Sequence, residues 1–325
     1  MRRYLIVILL GLVCGTTTVV QAGVFVIGRY SSEFLSLGAG ARALSMGGAS
    51  VASPSPAASS YYNPSALAGF RRNEVEFMHS SHFENLFTYD YLALAKALPN
   101  GLTGGLTILY TRVGDIPETR LMDPNAPLSD ANRVIVSRHS SDNELALIAS
   151  VGKPLLSGWR VGGNAKLLYK SLVGESAYGI GFDVGAGRSL GKSFNVGAVV
   201  RDLTSSVLAW STGRTEAILP SVVVGGSWST SVPALNADIL VAADLDGHFE
   251  SRGEAELVSA GPLSVEPRVG AEYIIANTVA LRGGMNGDDW TAGAGIRLAM
   301  LNVNAAFQNH PELGWTNRVS VAVDW

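Results

Sequence analysis

The sequence predicts an all-β fold, a transmembrane antiparallel β-barrel of about fourteen strands with an N-terminal hatch of short helices plugging its lumen. Three observations lead there. The 325-residue chain is 47% hydrophobic and only 16% charged, against roughly 25% charged in an average soluble domain. No stretch after residue 30 approaches the ~18 consecutive apolar residues of a spanning helix. Period-two alternation fills the chain from residue 74 onward, and the connections between alternating segments sort by length, short at one end and long at the other.

The chain opens with Arg2 and Arg3, an apolar run from Tyr4 to Val13, and the small-x-small triplet Val20-Gln21-Ala22. This is the layout of a secretory signal peptide over 1–22, cleaved after Ala22. The single cysteine, Cys14, falls inside it, and a lipoprotein reading of Cys14 fits poorly with the preceding Gly11-Leu12-Val13. The mature chain then carries no cysteine, so disulfides and thiolate metal sites drop out. A net charge of −3 gives no basic excess for nucleic acid.

Residues 34–70 are rich in Gly, Ala and Ser, with Arg42 as their only charge. So little apolar bulk forms no core alone; the segment has to pack closely against something else. It is expected inside the barrel, as an N-terminal extension and hatch over 23–70. Gly38, Gly40, Gly47 and Gly48 permit tight bends and close approach to the wall. Pro54 and Pro56 are placed to open a short helix, ended by Asn63-Pro64. Arg42 in a lumen either contacts a ligand or, as charges in a low dielectric are usually paired, holds a structural ion pair, the preferred reading, with Glu76, Asp183 and Asp238 as candidate partners. Phe34, Leu35, Leu37, Leu44 and Met46 either line a pocket for a lipid tail or pack the plug against the wall.

The barrel is assigned to 71–325. Alternating segments fall near 74–79, 89–96, 102–112, 142–152, 158–171, 177–190, 193–202, 219–229, 235–245, 265–275, 278–286, 290–299, 301–308 and 317–325. The even number suits a closed bacterial barrel, and 246–264 has room for a further strand pair. In 161–169 and 179–185 one face is bulky and the other is Gly or polar, which reads as lipid outside and lumen inside. Long polar gaps at 113–141, 203–218, 246–264 and 309–316 alternate with short turns; that parity places the short turns, the plug and the N-terminus in the periplasm. Val319, Val321, Val323 and Trp325 share one face of the last strand, the signal that outer-membrane assembly machinery reads.

Several motifs tempt and fail. Residues 186–193 nearly spell a P-loop, but a strand follows where a helix is required. Asp123, Asn125 and Asp130 lack the EF-hand Gly and closing Glu. His79-Ser80-Ser81-His82 offers Ser and His, but neighbouring strand residues point to opposite faces; a lipid hydrolase is a remote alternative. His139, His248 and His310 have no metal-ligand spacing. Trp159, Trp210, Trp228, Trp290 and Trp315 read as girdle or packing residues. No catalytic residue, metal site or cofactor is assigned.

The run Gly38-Ala39-Gly40-Ala41-Arg42-Ala43-Leu44-Ser45-Met46-Gly47-Gly48-Ala49, followed by Tyr62-Asn63-Pro64-Ser65-Ala66-Leu67, resembles the N-terminus of PorV/PorQ proteins. These are a branch of the FadL-like outer-membrane barrels, the long-chain fatty acid transporter type. Ser65 and Ala66 depart from the usual Ala and Gly, and weaker echoes occur at 281–288 and 313–320. The resemblance implies fourteen strands, a lumenal hatch, and passive passage of hydrophobic small molecules such as fatty acids. Its alternative implication is a PorV-like partner of type IX secretion proteins, contacting them through the long loops. Outer-membrane lipid and the barrel assembly machinery are partners on either reading.

Overall fold

Alternation of bulky and small side chains drives these segments to pair edge to edge, because a strand in lipid must satisfy every backbone polar group in a neighbouring ladder. The computed structural model describes residues 25–27, 32–250, 252, 257–310 and 312–325; the expected signal peptide, 1–22 with Cys14, lies outside them. Eighteen strands form one sheet: β1 (Phe25–Ile27), β2 (Glu74–His82), β3 (Phe87–Ala97), β4 (Thr103–Leu121), β5 (Val134–Pro154), β6 (Trp159–Leu172), β7 (Glu175–Leu190), β8 (Phe194–Arg201), β9 (Ser206–Trp210), β10 (Thr215–Ile218), β11 (Ser221–Val232), β12 (Ala237–His248), β13 (Val258–Ala260), β14 (Leu263–Ile275), β15 (Val279–Asn286), β16 (Asp289–Leu298), β17 (Leu301–His310) and β18 (Gly314–Asp324).

Fourteen of these build the wall. From β2 to β8 and from β11 to β18, short β13 apart, each pairs antiparallel with the next, and β11 pairs directly with β8. The last strand closes on the first, from Asn317 opposite Ser81 to Asp324 opposite Glu74. The sheet is therefore a closed fourteen-stranded barrel, as the alternation predicts. β7 shows how the faces sort. Ala177, Gly181, Asp183 and Gly185 are buried, while Tyr178, Ile180, Phe182 and Val184 are exposed. Bulk meets lipid, and small or polar groups face the lumen.

Outward tryptophans mark both rims. Trp290 and Trp315 meet edge to face at 5.4 Å on the long-loop side. Trp159, Trp228 and Trp325 are exposed toward the short-turn side, completing two interfacial belts. Trp210 instead packs half-buried against the lumenal cluster.

Three departures from expectation have physical reasons. The predicted loop 113–141 is largely strand: β4 and β5 continue past a bulge to Leu121 opposite Val134. Both faces of that ribbon are mostly polar and solvated, so no hydrophobic period announces it. The predicted loop 203–218 folds into the hairpin β9–β10, with β9 pairing back on β7, and 246–264 contributes β13. Third, β1 runs parallel to β10, at the long-loop end. The N-terminal segment was expected at the short-turn end; it instead starts at the opposite mouth and traverses the barrel, reaching the short-turn rim where Asn73 and Trp325 exchange backbone hydrogen bonds at 3.1 Å.

Candidate functional site

Residues 32–68 form the candidate site, since most are buried and they touch the inner face around the whole circumference. The short helices are Ala41–Leu44 and Ser59–Tyr62. The second begins three residues after Pro56 rather than at the prolines, which sit in the preceding turn, and Asn63 ends it with extended backbone. The Asn63 side chain then accepts from Ser65 N–H at 3.1 Å and donates to the carbonyls of Val51 (3.0 Å) and Ala186 (3.2 Å). One residue thus caps the next turn, braces the plug internally and ties it to the wall.

Close approach is possible because the wall is glycine-lined where the plug touches it. A Cβ on Gly270 or Gly284 would collide with Met46, one on Gly162 with the backbone at Pro64–Ser65, and one on Gly197 with the Val51 carbonyl. Conversely, Gly47 (φ +67°) places its own α-carbon against the Met285 backbone. Inward glycine in a strand marks just such backbone-to-backbone contact.

Polar anchors complete the seat. Asp244 accepts from the N–H groups of Ser50 (2.7 Å) and Val51 (2.9 Å), Thr291 accepts from Gly47 N–H (2.9 Å), and Glu74 accepts from Ala57 N–H (2.9 Å). The Tyr89 hydroxyl donates to the Gly38 carbonyl at 2.8 Å, while Gly38 and Ala39 N–H donate to the Tyr61 and Tyr62 oxygens. Burial pushes both phenols up from their usual pKa, so they stay neutral donors and acceptors.

Arg42 does find a carboxylate, but a different one from the three candidates. It forks onto Glu272, Nη2 to Oε2 at 2.6 Å and Nε to Oε1 at 3.0 Å, and Arg282 meets the same carboxylate at 2.7 Å. Burial opposes the charge on Arg42, and Glu272 together with Glu74 and Glu76 more than offsets it, leaving its pKa above the ordinary value. Asp183 is taken by Lys166 at 2.7 Å, and Asp238 accepts from Ser231. Glu76 lies beside Gly40. Glu272 sits mid-strand in the tail of the chain, 230 residues away; no local pattern couples it to Arg42.

The six residues expected to contact a ligand do not converge on one cavity. Phe34 and Leu44 are buried in a cluster with Met78, Tyr89, Tyr91, Leu109, Ile148 and Leu168. Met46 is fully buried against the wall. Leu35 lines a cavity of about 60 Å³ at the long-loop end, with Tyr61, Ile148, Ile218 and Arg201. Leu37 and Leu44 line a small pocket of about 40 Å³ beside Tyr62. Arg42 borders two larger cavities at the short-turn end, about 240 and 480 Å³. The outer cavity shares no lining residue with these two. Sequence reasoning missed Arg201, whose guanidinium stacks on Tyr61 at 5.6 Å, and the buried Lys166–Asp183–Asp202 group beside it. Their signal was inward-facing charge in otherwise apolar strands.

His79 and Ser81 face outward while Ser80 and His82 are buried inward. Asp90 holds His79 Nδ1 at 2.7 Å, but the Ser81 hydroxyl donates to Asn85 rather than to the imidazole. On the last strand, Val319, Val321 and Trp325 are exposed on the outer face.

A fourteen-stranded barrel with an apolar exterior and a chain segment seated in its lumen has the architecture of an outer-membrane barrel of the FadL-like fold. No family model and no curated protein matches the chain. Solved structures do. The monoaromatic hydrocarbon channel CymD aligns with TM-score 0.58 at 11% identity, over 89% of this chain and 97% of that one. The Ralstonia pickettii toluene transporter TbuX gives 0.55 at 13% identity, over 88% and 97%. A Pseudomonas aeruginosa FadL homologue gives 0.51 at 11% identity, over 85% and 95%. These likenesses speak for the FadL-like barrel fold and do not reach the PorV/PorQ branch.

Proposed function

We propose that this chain is a passive outer-membrane channel for hydrophobic small molecules such as fatty acids. One observation carries the reading: nearly the whole chain shares its fold with proteins described as hydrocarbon channels and toluene transporters. In this orientation the long loops face outward, the short turns face the periplasm, and β1 lies at the outer mouth.

The plug has to move for anything to pass. An apolar cavity of about 150 Å³ holds benzene, and the outer cavity measures only about 60 Å³. In our reading the outer cavity is a first station, where Leu35, Ile148, Ile218 and Leu219 offer apolar contact beside Arg201. Displacement of the 32–53 stretch then connects it to the inner cavities around Arg42. We assign no catalytic role, since Ser81 and His79 do not engage each other. The finer placement in the PorV/PorQ branch, with type IX secretion proteins as partners, rests on the motif over 38–49 and 62–67 alone.

The test is uptake in a host lacking its own fatty acid channel. Expression of this chain is expected to restore growth on a long-chain fatty acid and sensitivity to toluene. Correctly assembled barrel with neither phenotype would count against passage.

A further inference from the structure

The short-turn rim is chemically lopsided. On the arc β3–β8, which is contiguous in the sheet, the exposed bases Lys96 and Lys153 and the half-buried Arg188 lie at the ends of β3, β5 and β7, and Lys192 is exposed in the turn after β7, at the lip of the larger inner cavity. The first three continue the outward rows of their strands: Lys96 follows Leu92 and Leu94, Lys153 follows Leu147 and Val151, and Arg188 follows Phe182 and Val184, all at period two. The Arg188 guanidinium stacks on Trp159 of the neighbouring strand at 5.4 Å. Leu98, Leu155, Leu156, Leu190 and Phe194 are exposed among them.

No outward-facing acidic residue occurs at this end of the arc among the described residues; Asp183, mid-strand, is turned inward and buried. The opposite arc, β11–β18, differs. Leu235, Leu298, Met300 and Trp325 are exposed there without basic company on the outer face at this end among the described residues. Arg297 turns inward to border the inner cavity and donates to Asn302 at 2.7 Å. Arg72, on the approach to β2, is engaged by Asp324 at 3.2 Å.

We infer that the β3–β8 arc binds anionic phospholipid headgroups of the leaflet on the short-turn side. Long basic side chains lie along apolar surface and hold their charge at headgroup depth, and an indole carrying a guanidinium suits the same boundary. Because each base ends a ladder of lipid-facing side chains, the occupant sits beside acyl chains, which selects a lipid over an acidic soluble protein. From Lys96 to Lys192 the arc crosses four to five strand spacings, about 20 Å, so several headgroups fit. The inference rests on the outer-membrane barrel reading but not on transport.

The experiment uses the full mature protein in nanodiscs of phosphatidylcholine containing phosphatidylglycerol, with retained lipids counted by native mass spectrometry after release. Near a surface each Lys or Arg favours an anionic lipid by about fivefold. The wild-type protein is expected to retain phosphatidylglycerol over phosphatidylcholine at least fivefold beyond the input ratio. The Lys96→Gln/Lys153→Gln/Lys192→Gln variant is expected to fall to near parity, with an unchanged heat-modifiable band, whereas Arg72→Gln keeps the preference. Retention at the input ratio in the wild type, or an undiminished preference in the triple variant, overturns the inference. So does capture of an acidic protein without lipid preference. A protein that gives no heat-modifiable band in any bilayer instead removes the barrel reading beneath it.

Discussion

Glu272→Ala probes the seat of the plug most sharply. Glu272 is 3% exposed and is shared by two guanidinium groups at once, Arg42 from the plug and Arg282 from the wall, through contacts of 2.6–3.0 Å. Removing the shared carboxylate leaves two cations facing each other in a low-dielectric lumen, where breaking a buried pair costs about 3–5 kcal/mol. Arg282 keeps Asn304 at 3.0 Å and Arg42 keeps the Ser53 carbonyl at 3.1 Å, so the loss is expected near the lower figure. That raises the local opening constant of the plug by roughly two orders of magnitude. Hydrogen exchange in nanodiscs reads this directly: amides of Ser45, Met46 and Gly48, which bond within the 41–48 turn, exchange about a hundredfold faster while the β15–β18 ladders are unchanged. Glu272→Gln, which keeps an acceptor, gives a smaller acceleration. Unaltered exchange over 41–53 in Glu272→Ala would refute the claim that this ion pair holds the plug.

Three further outcomes follow from the geometry. Gly284→Val drives side-chain atoms into the Met46–Gly47 backbone, overpacking by at least about 1–3 kcal/mol; protease cleavage within 38–53 rises while the barrel still shows heat-modifiable migration. Asp244→Ala strips the acceptor from two buried N–H groups, Ser50 and Val51, at about 1–3 kcal/mol each, and exchange at those amides accelerates without a change at Ser45. Trp325→Ala removes the exposed terminal aromatic of the closing strand, so the folded fraction in cells falls while barrel refolded in detergent melts within a few degrees of wild type.

The barrel was legible because lipid imposes one rule on every spanning strand: bulky side chains outward and small or polar ones inward. All fourteen wall strands follow from that alternation, and the sorting of loop lengths follows from their alternating direction, which sends successive connections to opposite rims. The rule stops at the membrane surface. Beyond it the β4–β5 ribbon is wet on both faces, and Thr119 opposite Val136 carries no periodic signal. The plug was legible as a small-residue segment, and Asn63 as the end of its second helix, but its direction was not, because a segment packed on glycine-lined walls all round has no polarity in its composition. Arg42 announced an ion pair without naming the partner. Glu272 became that partner only through barrel closure, which brings residues 230 positions apart within 3 Å. The apolar residues read from the plug divide for the same reason: Phe34 and Met46 are consumed by packing in the filled lumen, while Leu35, Leu37 and Leu44 also border small cavities.

The central claim, passage of a hydrophobic molecule through this barrel when its plug shifts, is tested most directly by flux. The mature protein is reconstituted into proteoliposomes carrying an internal fatty-acid sensor, beside empty vesicles and the Glu272→Ala variant. Protein-dependent uptake above the empty-vesicle rate is expected, faster still in Glu272→Ala. Uptake equal to empty vesicles for both proteins, in vesicles shown to contain folded barrel, would contradict it.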